Sequence, residues 1–188
     1  MNSKTKKWLL ITLILCLFLA AAIWGISVLI SNRLNSPEHY IDKDGRYTGF
    51  DDLPSSILAF TDIPGDDSVY ITSKDGIKEN VHIWNRFISR TEQKRKCKIR
   101  LYIRSSGDTL YDLYYTGSVF KLFKLGHDEQ VGQDFLYLVS VEDKVRDTSY
   151  IALAMEPELT VQDFQSILYS NDKEKSQSMY ILKWGFYE

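Results

Sequence analysis

Between Lys7 and Arg33 the chain carries no charge, and the stretch WLLITLILCLFLAAAIWGISVLI, from Trp8 to Ile30, is an almost unbroken run of 23 apolar residues. As a helix rising about 1.5 Å per residue it is roughly 34 Å long, enough for a bilayer core of about 30 Å. A secretory signal peptide has a shorter apolar region, about 7–15 residues. Ala20-Ala21-Ala22 imitates its cleavage pattern but lies inside the run. Cys16 follows Leu15, not the small residue that precedes a lipid-modified cysteine, so it reads as one more apolar side chain. The run therefore reads as an uncleaved transmembrane helix with membrane lipid as its partner.

Orientation follows from the flanks. Lys4, Lys6 and Lys7 precede the run and only Arg33 follows it closely. The positive-inside rule puts residues 1–7 in the cytoplasm as a short tail and everything after the helix outside, in a single-pass cell-membrane protein. Trp8 sits where an interface anchor belongs. Pro37, Gly45 and Gly49 punctuate residues 31–50, where no period persists, so these read as a juxtamembrane tether. Asp42-Lys43-Asp44-Gly45 resembles a calcium loop only faintly. Its glycine comes too early and the closing glutamate is absent, so it reads as a turn. Residues 51–188 read as one extracytoplasmic domain.

The charge balance of that outer part excludes one class of partner. Of the 23 Lys+Arg, four (Lys4, Lys6, Lys7 and Arg33) precede Leu34, and none of the 25 Asp+Glu does. The remainder has 19 cations against 25 acids, a formal net charge of −6. A nucleic-acid binder needs a basic field, which this is not. The many Tyr, Phe, Ile and Leu argue equally against disorder. Cys97 is the only cysteine outside the apolar run, so neither an intrachain disulfide nor a cysteine zinc site can form there.

Periodicity predicts the elements. Asp51-Asp52-Leu53-Pro54 resembles a helix start, with Ile57, Leu58 and Phe60 as its apolar face. Ser68–Thr72 reads as a strand followed by a Ser-Lys-Asp-Gly turn. Asn80–Arg90 reads as a helix capped by Asn80, with Val81, Trp84, Phe87 and Ile88 on one face. From Lys96 the period changes to two. Ile99, Leu101 and Ile103 alternate with Lys98, Arg100, Tyr102 and Arg104, which describes an antiparallel strand with one apolar and one wet face. Ser105–Asp108 is a turn, and further strands follow at Thr109–Tyr115, Ser118–Leu125, Phe135–Val141 and Tyr150–Met155. Thr160 with Asp163 resembles a capping box opening a helix striped by Val161, Phe164, Ile167 and Leu168. After a solvated loop at 170–178, Met179–Phe186 closes as a strand. The expected fold class is α+β: a transmembrane helix, then a single domain with an antiparallel meander sheet and two or three helices packed on one face.

Three features carry a family resemblance, over roughly residues 67–188: Gly76-Ile77 followed by Asn80 and an aromatic helix; Lys98-Ile99-Arg100 leading through Gly107-Asp108 into Tyr111-Asp112-Leu113, Tyr115 and Gly117; and a tyrosine-bearing last strand, SMYILKWGF. This pattern resembles an uncharacterised Gram-positive domain-of-unknown-function family of small membrane-anchored or lipoprotein surface proteins. The chain departs from it at Asp75, where the family tends to have histidine, and at Trp184-Gly185-Phe186, where it tends to end in Gly-Cys. The resemblance implies a bacterial cell-surface domain and supplies no activity and no catalytic residues.

Motifs that would carry chemistry are sparse. The histidines stand in no zinc spacing, and there is no G-x-S-x-G, no S-x-x-K and no glycine-rich phosphate loop. His127, Asp128, Glu129 and Asp134 share an acidic turn region that reads as solvated. Asp108 and Asp112 could act as a carboxylate pair if their environments separated their pKa values. Turn chemistry already accounts for Asp108. The densest cations are Lys94, Arg95, Lys96, Lys98, Arg100 and Arg104. Lys96, Lys98, Arg100, Tyr102 and Arg104 share one strand face, and this is the candidate binding surface for an envelope protein or an anionic wall polymer. The competing reading is a wet face whose cations pair with Asp112 across the sheet. The expectation is a non-enzymatic binding module without a cofactor or metal, an immunity-type protector being one form. The alternative is an extracytoplasmic hydrolase or metal-dependent enzyme using Asp108, Asp112, His127 and Asp134.

Overall fold

The computed structural model describes residues 3–51, 53–54, 69–73, 78–104, 108–146, 148–170 and 178–186. Most of the expected helix start at 51–60, of the Ser-Lys-Asp-Gly turn at 73–76 and of the turn at 105–108, and nearly all of the loop at 170–178, lie outside these residues. The chain divides into two compact units, residues 1–34 and 35–188. The first contains α1 (Ser3–Leu34), whose stretch Ile11–Ile30 is long and apolar enough to cross a membrane and has no buried residue.

The second unit is α+β, as the periodicity predicts. It opens with a short 3-10 helix, Pro37–Tyr40. Then come β1 (Val69–Ser73), β2 (Lys78–Glu79), α2 (Val81–Glu92), β3 (Cys97–Arg104), β4 (Thr109–Tyr115) and β5 (Phe120–Lys124). β6 (Tyr137–Asp143), β7 (Thr148–Ala154), α3 (Val161–Ser170) and β8 (Met179–Phe186) follow among the described residues. The meander β3-β4-β5 lies in a five-stranded sheet of order β2-β1-β3-β4-β5. Its pairings are antiparallel except β1 with β3, where Ile71 lies opposite Tyr102. β1, α2 and β3 thus form a crossover unit, the helix supplying the connection that parallel neighbours require. β6, β7 and β8 form a second, antiparallel sheet. The connection after β5 folds back along it, with bridges Phe123 to Gln130 and Phe120 to Phe135, before β6 begins the second sheet. Gly117, at φ 101°, lets the β4–β5 turn close, with Thr116 accepting from and donating to Val119.

Strand alternation sorts the core into layers. One face of the first sheet presents Cys97, Ile99, Leu101, Leu113 and Leu122 to α2 residues Ile83 and Phe87 and to Leu153 and Leu182 of the second sheet. Residues of opposite parity on the second sheet, Tyr150, Ala152 and Met179, pack against Phe164 of α3. The two helices therefore serve different sheets. α3 opens with the capping box: the Thr160 hydroxyl donates to Asp163 Oδ2 at 2.7 Å and accepts from the Asp163 N–H at 3.3 Å. At α2 the cap differs from expectation. Asn80 adopts a left-handed conformation, φ 57°, and makes no side-chain capping bond; its main-chain carbonyl accepts from Ile83 instead.

Phe164 is fully buried, stacked on Tyr150 at 4.8 Å between ring centres. Phe164→Ala is expected to cost about 3–5 kcal/mol of unfolding free energy in chemical denaturation, the range for emptying a packed aromatic site.

Candidate functional site

The other face of the first sheet is where Lys98, Arg100, Tyr102 and Asp112 lie, Arg100 directly opposite Asp112 on the neighbouring strand. Period-two alternation predicts this face to be wet. It is instead covered. Residues 37–51, all but the last within the tether expected over 31–50, fold back as a strap, and Tyr47 and Phe50 pack with Tyr102, Leu110, Tyr114 and Phe123, joined at the margin by Tyr40 and Leu53. Tyr47 stacks flat on Phe123, 4.0 Å between centres and 15° between planes. The reason is visible in β4, where Leu110 and Tyr114 on this face would otherwise expose a broad apolar surface.

Gly49 makes the strap fit: a Cβ there would collide with the Tyr47 ring. Asx chemistry shapes the tip of the strap. Asp42 Oδ1 accepts from the main-chain N–H groups of Asp44 and Arg46, both at 2.9 Å, so Asp42-Lys43-Asp44-Gly45 is the turn that its composition predicts.

Beneath the strap lies an ionic cluster centred on Asp112, which has no exposed surface. Arg100 grips it with two parallel bonds, Nε to Oδ1 at 2.7 Å and Nη2 to Oδ2 at 2.8 Å. Lys98 Nζ stands 2.7 Å from Oδ2, and the Tyr47 hydroxyl donates to Oδ2 at 2.6 Å. Arg100 Nη2 also donates to the carbonyl of Gly49 at 2.9 Å, and Tyr47 and Tyr114 share a hydroxyl bond of 2.8 Å. Two cations meet one carboxylate, and aromatic faces take up the excess. Lys98 lies 4.7 Å from the centre of the Tyr40 ring and 5.2 Å from that of Tyr114, and Arg100 lies 5.4 Å from that of Phe50. Burial lowers the Lys98 pKa against the pull of Asp112. Burial, then the Asp112 charge, raises the Tyr47 and Tyr114 phenols well above their ordinary range.

The sequence-predicted residues therefore separate. Lys98 and Arg100, only 18% and 17% exposed as side chains, are committed to Asp112, and Tyr102 is buried with its hydroxyl donating to Asp108 at 2.5 Å. Lys96 is exposed, with Lys94 and Arg95 before it on the α2–β3 turn. Arg104 ends β3. Of the alternative acid/base set, Asp112 is enclosed while Asp108, His127 and Asp134 are exposed. Asp134 accepts from Gln130 at 2.9 Å and faces Lys121 at 3.5 Å. Among the described residues no group of three or more His, Cys, Asp or Glu is placed to hold a metal. Cys97 faces the apolar side as alternation predicts, and burial raises its thiol pKa to about 11, which keeps it a poor nucleophile.

Two outcomes are expected. Asp112→Ala strands two buried cations and should cost about 3–5 kcal/mol in denaturant unfolding, whereas Lys96→Ala should stay within about 0.5 kcal/mol. Above pH 10, the ordinary phenol pKa, the unfolded chain releases tyrosine protons that the fold retains at Tyr47 and Tyr114. Stability should therefore fall as pH rises past 10, by about 1.4 kcal/mol per pH unit for each phenol. Lys98 acts oppositely just below its ordinary value of 10.5, where the unfolded chain holds the extra proton. Tyrosinate absorbance followed against alkaline unfolding, with Tyr47→Phe flattening the fall, checks this.

No family model matches the chain, nor does any curated protein or any solved structure.

Proposed function

We propose that the protein is a single-pass, membrane-anchored module whose α+β domain stands outside the cytoplasm and acts by binding rather than by catalysis. The observation that carries the anchor is α1, with its exposed apolar stretch Ile11–Ile30. Lys4, Lys6 and Lys7 before that stretch and Arg33 after it favour a cytoplasmic N-terminus. The resemblance to a Gram-positive surface family points the same way. The binding reading is supported by the enclosure of Asp112, which leaves the strongest ionisable cluster engaged in holding the domain together. The partner is an envelope protein or an anionic wall polymer, met through the exposed turn Lys94–Lys96. A protector against a toxin acting outside the membrane is the immunity-type form of this reading.

Two measurements test the reading. Protease added to intact cells should digest residues 35–188 while sparing the cytoplasmic tail; protection of the whole domain would reverse the orientation. The domain, captured with its envelope contacts cross-linked, should retain an envelope protein or wall polymer, and reversal of Lys94, Arg95 and Lys96 to Glu should release it. Capture that is indifferent to the reversal would remove this turn as the contact.

A further inference from the structure

The strap over the ionic cluster is bonded mainly to itself. Asp42 N–H donates to Arg46 and Thr48 N–H to Tyr40, Asp51 N–H to Thr48, and Ile41 bridges Tyr47. Among the described residues, the main-chain hydrogen bond that joins it to the rest of the domain is Tyr47 N–H to the Asp128 carbonyl, at 2.7 Å. It is otherwise held through side chains, among them Tyr47 on Asp112, Tyr114 and Phe123, Arg100 on the Gly49 carbonyl and the Phe50 ring, and Lys98 on the Tyr40 ring. The ladder β3-β4-β5 and the apolar core on its opposite face use no strap residue. The strap can thus leave as a unit without breaking a strand pairing.

Closure is also a contest of opposed terms. It buries Tyr47 and Phe50, and it removes Lys98 and Arg100 from water, which opposes it.

We propose that residues 37–51 are a releasable latch. Closed, it seals the ionic cluster around Asp112. Open, it bares the apolar and cationic face of β3 and β4 while their strand pairings stay intact.

The test is amide hydrogen exchange on the full chain in lipid nanodiscs across a denaturant series. Strap amides, Asp42, Tyr47 and Thr48 among them, should open at a lower cost and with a smaller denaturant dependence than β3 and β4 amides. Tyr47→Phe keeps the ring and removes the bond to Asp112. Gly49→Ala unseats the ring. Each should speed strap exchange by about tenfold or more while β3 and β4 amides keep their wild-type rates. A wild-type protein whose strap and strand amides share one opening cost and one denaturant slope overturns the latch, as do variants that accelerate both sets equally.

Discussion

The Asp112 carboxylate is the point on which the first sheet and the strap both depend. Removing one carboxylate and two cations from water is expensive, and their mutual attraction offsets that cost only when every polar atom has a partner. Here the Arg100 fork, Lys98 and the Tyr47 hydroxyl fill the lone pairs of Asp112, the Gly49 carbonyl takes a further guanidinium proton, and three aromatic rings face the surplus charge. Four of these contributors, Tyr40, Tyr47, Gly49 and Phe50, come from the strap. The cluster is satisfied only with the strap in place, so residues that follow α1 almost directly are part of the domain and not a spacer before it.

β4 shows how this arrangement propagates. Six of its seven residues are buried, on both faces. One face looks into the core shared with α2 and the second sheet; the other looks at the strap. An antiparallel sheet usually leaves one face to water. This one is a middle layer, and the second sheet repeats the device with α3 as its outer cover.

Strong local patterns made much of this fold legible. The period-two run in β3 put Cys97, Ile99 and Leu101 on the core side, and Thr160 with Asp163 marked the start of α3. The strap was not legible because it has no period. Its contacts come from isolated aromatics, Tyr40, Tyr47 and Phe50, whose partners lie some sixty residues away in sequence. A signal existed on the other side of the contact. In TLYDLYY, Leu110 and Tyr114 share a face with Asp112, while Tyr111 and Leu113 lie on the other. A strand that is apolar on both faces needs a cover on both, so a wet face for β3 and β4 was physically inconsistent with β4's own sequence. The pairing of Asp112 with the β3 cations was readable from strand register, but its enclosure was not.

Why charges should lie under the strap at all follows from direction. Apolar burial is non-directional, so an aromatic hairpin laid on a purely apolar face could slide along it with little penalty. Hydrogen bonds have short range and angular preference. With Tyr47 bound to Asp112 and Gly49 to Arg100, a shift of one residue in the strap breaks both bonds at once and strands buried charge. Net stability is not the main yield of such a cluster, since a well-packed apolar substitute is often as stable. Its physical effect is to restrict the strap to one register, closed or released, with no stable position between.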